Sequence, residues 1–132
     1  YDLIVFDGSG HADLQTLEIA KVCDYIILPS GLSKDDLTPQ IKLAHELIKK
    51  GISQKIIGFT LSRVGKSERE LNDTIEYIGL AGYKYLGYIK EMTSISQSHD
   101  EGLAANETKY KSINKRVDVL IQNIVNSIEE IL

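Results

Sequence analysis

Asp7 is the residue of this chain best placed to do chemistry. It ends a short apolar run, Leu3-Ile4-Val5-Phe6, and is followed by Gly8, Ser9 and Gly10. Such a run reads as a buried strand, and the glycines after it break the pattern. A carboxylate at the carboxyl end of a buried strand, beside a glycine-rich turn, can hold a magnesium ion through its water shell. Glycines there let backbone come close to a phosphate. The plainer reading is that Asp7 caps the turn or helix that follows.

Other reactive side chains form no constellation. His11, His45 and His99 lack metal-ligand spacing, and Gly8-Ser9-Gly10 does not make the Gly-x-Ser-x-Gly elbow of a serine nucleophile. Cys23 is the single cysteine, so an internal disulfide is excluded and a reducing, cytoplasmic setting is expected. Lys109, Lys111, Lys115 and Arg116 cluster where a helix should begin. They can meet nucleic-acid phosphates, or they are a solvated face. Their position opposes the helix dipole at a small cost. The net charge of −4 does not advertise nucleic-acid binding, but it leaves room for a local basic patch. No apolar run approaches the roughly 18 residues of a membrane span. Glu129 and Glu130 near the end of the last helix oppose an anionic lipid surface, so no membrane partner is expected.

The elements that must position these residues alternate between strand and helix. The chain has 132 residues, 42% hydrophobic and 26% charged, which fits one globular domain. Strands are expected at Leu3–Phe6, Asp24–Leu28, Lys55–Leu61 and Tyr83–Ile89. Pro29, Ser30 and Gly31 close the second of these. Helices are expected at Ala12–Val22, at about Lys34–Lys50, after Ser67, and at the end of the chain, where the basic cluster marks the start. Ser33 with Asp36, and Ser67 with Glu70, have the spacing of capping boxes. Gly51 stands where a left-handed residue ends the second helix. Ile113, Val117, Leu120, Ile121, Ile124, Ile128 and Ile131 sustain a helical period to the end of the chain.

This alternation predicts an α/β fold, a mostly parallel sheet with helices on both faces. Ligands of such sheets bind outside the carboxyl ends of the strands. That rim should gather Asp7 and Gly8, Pro29 and Ser30, Ser62 and Arg63, and Ile89 to Met92, an arrangement suited to a nucleotide.

At these same residues the chain resembles the ParA/MinD family of partition ATPases, which are P-loop proteins of deviant type. Tyr1–Gly10 is similar to the family's Walker B strand, and Asp24–Ser30 to its next strand. Ile56–Arg63 is similar to the strand that ends in an Asn-Arg pair. Tyr88–Glu107 is similar to the loop that follows the last strand, with Gly102 and Glu107 retained. The resemblance implies a P-loop NTPase-like fold, incomplete on its amino-terminal side. It also implies ATP with magnesium as cofactors, magnesium being held through water by Asp7. Gly8 and Gly10 would sense the γ-phosphate. Ser62, Arg63, Ile89 and Met92 would border the adenine. The function implied is plasmid or chromosome partition through an ATP-driven homodimer, non-specific DNA binding by Lys109, Lys111, Lys115 and Arg116, and a centromere-binding partner that stimulates hydrolysis.

Three departures bear on that reading. The sequence contains no glycine-rich loop with a lysine and Ser/Thr to cradle phosphates. The upstream loop that helps activate water is absent too. Ser62 replaces an asparagine, and a hydroxyl cannot make the paired contacts of an amide. Phosphoryl transfer depends on positioning and charge neutralisation, so these 132 residues alone are expected not to hydrolyse ATP. They read as the carboxyl-terminal part of a longer ATPase. Without a strand beside it, Leu3–Phe6 should present an apolar edge and promote self-association. The alternatives are a receiver-type signalling domain with Asp7 as phosphoacceptor, and a non-catalytic α/β binding module.

Overall fold

The computed structural model describes residues 3–9, 13–65, 67–90, 99–108 and 110–132. Within them, three parallel strands alternate with helices: α1 Leu14–Val22, β1 Ile26–Ser30, α2 Lys34–Lys49, β2 Ile57–Val64, α3 Glu68–Leu80, β3 Lys84–Lys90 and α4 Lys111–Ile131. A 3-10 turn at Gln54–Ile56 leads into β2. The strand order is β1-β2-β3, and each crossover runs through a helix, as parallel neighbours require.

Local chemistry starts and stops the helices as the sequence suggests. The hydroxyl of Ser33 accepts from the Asp36 amide, and that of Ser67 from the Glu70 amide. Both therefore satisfy donors that a helix start leaves free. Gly51, at φ +99°, takes the left-handed position that ends α2. Tyr110 precedes α4 without a side-chain cap. The neighbouring Thr108 instead binds Asn114 through both its amide and its hydroxyl, at 2.8 and 2.6 Å. That knot ties the approaching loop to the first turn of α4.

β2 is the centre of the core. Ile57, Phe59 and Leu61 are fully buried on one face, packed with Leu37, Ile41, Ala44 and Leu47 of α2 and Ile78 of α3. The other face takes α4. A Cβ added to Gly58 would meet Leu86 and the Tyr25 ring hydroxyl, and one added to Gly87 would meet Leu120 of α4. Glycine at these two positions thus permits close approach. The free edge of β3 is closed by α4. Asn123 donates to the Leu86 carbonyl at 2.8 Å, and Arg116 to the Tyr88 carbonyl at 3.2 Å. Seven residues separate these donors, which is two helical turns and places them on one stripe.

Two expectations about strands need correction. Leu3–Phe6 is not a strand. Its residues are 66, 69, 81 and 53% exposed, and none pairs with the described sheet. An extended segment gains its hydrogen bonds only from a neighbour, and no described strand lies beside this one. β1 runs from Ile26 to Ser30 rather than ending at Leu28, so Pro29 lies inside it. Among the described residues β1 is an edge strand, where proline's missing N–H costs no ladder bond.

Candidate functional site

At the carboxyl rim the β2–β3 ladder is irregular. Leu61 pairs with Tyr88 and Val64 with Lys90. Two residues of β2, Ser62 and Arg63, therefore stand opposite the single Ile89 of β3. This is a bulge, rare between parallel strands and frequent beside functional sites, where it re-aims a side chain. Arg63 is the one non-glycine described residue with positive φ, at 53°. That conformation costs roughly 1–2 kcal/mol for a residue with a Cβ. The bulge brings together three of the residues expected at a ligand rim: Ser62, Arg63 and Ile89.

Beside the bulge lies a cleft of about 410 Å³. One wall is the end of β1 with the turn after it, from Pro29 to Ser33. The second is the start of α2, with Asp36 and Gln40. The third is Ser62, Arg63 and Gly65, with Glu70 of α3. Ser30 is buried and spends its hydroxyl proton on the Gly31 carbonyl at 2.8 Å. Asp36 accepts from the Ser33 hydroxyl at 3.0 Å and lies so close to Gly31 that any Cβ there would displace it. The cleft thus carries one guanidinium, two carboxylates and a carboxamide. An acceptor-rich wall of this kind suits the hydrogen-bonding edge of a neutral group better than a polyphosphate, which the carboxylates would repel.

A larger groove, of about 620 Å³, opens at the opposite, amino-terminal end of the strands. Two of its three charged side chains engage each other. Lys84 pairs with Glu130 at 3.1 Å, and Gln54 donates to the Gly82 carbonyl. The rim cleft has freer side chains, so its chemistry is the more available.

The remaining expected site residues are dispersed. Asp7 and Gly8 lie in the exposed segment before α1 and do not line the cleft. Ser9 joins that segment to the start of α1 through Thr16, at 3.3 Å. Gly10, Met92 and Lys109 lie outside the described residues. Lys111 and Lys115 are exposed. Arg116 is half-buried: its guanidinium stacks 3.9 Å from the Tyr88 ring centroid while donating to the Tyr88 carbonyl. It also faces Tyr85, whose hydroxyl is pushed up in pKa by burial, an effect the nearby guanidinium partly offsets.

Sequence reading did not single out Gln40 or place Asp36 and Glu70 in a site. A signal existed, since Asp36 and Gln40 are four apart and share a helix face. The helix start after a strand is also where rim residues sit. Neither a protein-family model nor a curated protein matches the chain.

Proposed function

We propose that the chain is part of a ParA-like ATPase acting in plasmid or chromosome partition, through ATP-dependent dimerisation and DNA binding. The observation that carries this reading is the bulge at Ser62 and Arg63, opposite Ile89 and next to a polar cleft. A strained arginine at the carboxyl rim of a parallel sheet is a feature that function explains and packing does not. The cleft is the size of a small-ligand pocket, and its wall fits the base and ribose of a nucleotide.

Phosphates belong on the side of Asp7 and Gly8. A magnesium ion keeps several waters and needs only one or two carboxylates, so a single exposed Asp7 fits the role. Bound magnesium would neutralise phosphate charge during transfer to water. This chain's own part is narrower. Arg63 and Ser62 orient the base side, and Asp7 holds the ion's water shell. Lys111 and Lys115 are exposed and form no ion pair among the described residues. They are available to DNA phosphates.

The test is Mg-ATP binding by the complete gene product that contains this chain, followed by light scattering and DNA binding with and without ATP. The reading predicts binding, a doubling of mass with ATP, and DNA affinity that falls steeply with salt. Absence of ATP binding at millimolar concentration would overturn it.

A further inference from the structure

Ser62 supplies one hydroxyl where reading an adenine edge calls for a paired donor and acceptor. The cleft nevertheless contains that pair elsewhere. Gln40 of α2 lines it together with Ser62 and Arg63, and it is the cleft's single carboxamide. It is half-buried, and its amide makes no hydrogen bond among the described residues. The other polar side chains there cannot replace it. Asp36 and Glu70 only accept, Arg63 only donates, Ser30 is committed to the Gly31 carbonyl and Ser33 to Asp36. Gln40 also stands on the second turn of a helix whose first turn is pinned by the Ser33 cap. Its backbone is therefore fixed relative to the β1 turn.

We infer that Gln40 is the base-reading residue of the rim cleft, with adenine as the base it selects. This rests on the reading of the cleft as a nucleotide site. The carboxamide donates one N–H to a ring nitrogen and accepts from the exocyclic 6-amine, the bidentate pairing that glutamine makes with adenine. The role that an asparagine at the strand end would fill is thereby moved across the cleft to α2. Ser62 keeps only a bordering contact.

The experiment measures the affinity of the complete gene product for ATP and for purine riboside triphosphate, which lacks the 6-amine. The parent protein should favour ATP by roughly five- to tenfold, the low end of what one bidentate pair contributes. Gln40→Met keeps length and helix preference but removes both polar atoms, and should bring the ratio to within about twofold. A merely structural role for Gln40 would weaken both ligands and leave the ratio alone. Ser62→Ala removes a bordering hydroxyl and should weaken both ligands by a similar factor. A ratio unchanged in Gln40→Met, or one that collapses in Ser62→Ala instead, overturns the assignment to Gln40 while the nucleotide site stands. Failure of the parent to bind either nucleotide overturns both.

Discussion

Arg116 belongs by sequence to a basic cluster, yet the structure gives it a packing role, and the two can be separated by measurement. Its guanidinium lies 3.9 Å from the Tyr88 ring centroid, and its Nε donates to the Tyr88 carbonyl at 3.2 Å. A cation–π contact contributes about 0.5–1 kcal/mol at an exposed site and about 2 when desolvated. A hydrogen bond from a charged donor adds about 1.5–3. One side chain makes both contacts and is half in solvent, so the two overlap rather than add. We expect Arg116→Ala to cost about 2 kcal/mol. At a urea slope of about 1–3 kcal/mol per molar, the unfolding midpoint should fall by roughly 1 M. Arg116→Lys should recover less than half, because an ammonium cannot both stack and hold the Nε geometry. A double-mutant cycle with Tyr88→Leu should give a coupling of about 0.5–1.5 kcal/mol. Lys111→Ala and Lys115→Ala should change stability by less than about 0.5 kcal/mol. Each should instead lower the salt slope of DNA binding by roughly one. An Arg116→Ala protein within about 0.5 kcal/mol of the parent would refute the claim that this residue fastens α4 to β3.

Three further outcomes can be measured. Phe59, with no exposed surface at the centre of β2, should cost about 3–5 kcal/mol on truncation to alanine, read by chemical denaturation. The Tyr25 hydroxyl is buried without a hydrogen bond of ordinary geometry among the described residues, although the Ser127 hydroxyl lies beside it; Tyr25→Phe should therefore stabilise by up to about 1 kcal/mol, and a loss of that size in calorimetry would contradict the burial argument. Burial pushes up the pKa of Tyr25, Tyr83 and Tyr85. The folded state therefore holds these protons more tightly than the unfolded one. Their contribution is complete below the ordinary tyrosine value of about 10 and is lost as pH rises above it. Urea midpoints should fall above pH ~10, with a shallower slope in Tyr25→Phe. Finally, Val5 is 81% exposed within an apolar run. Val5→Lys should reduce concentration-dependent self-association in sedimentation, and unchanged association would show that this segment is not the sticky surface.

Much of the architecture was legible in the sequence because it rests on local rules. The capping serines at 33 and 67, the left-handed Gly51 and the long period of α4 each act within a turn or two. Strand limits were less legible. β2 runs to Val64, three residues beyond the expected Leu61, because pairing with β3 carries it on through a bulge. Pro29 reads as a terminator in sequence, yet it is harmless on an edge. Leu3–Phe6 has every mark of a strand and is not one, because being a strand is a property of pairs.

The candidate site divides in the same way. The residue types at Ser62, Arg63 and Ile89, and their place at a sheet rim, follow from the alternation of strands and helices. That alternation is a matter of hydrophobic period, which the chain carries residue by residue. The convergence of Gln40 with Ser62 across a cleft depends on tertiary contact, and so does the withdrawal of Arg116 onto Tyr88. The bulge that turns Arg63 into a left-handed conformation is a register shift between two strands. It belongs to the pairing of β2 with β3, and neither strand alone contains it.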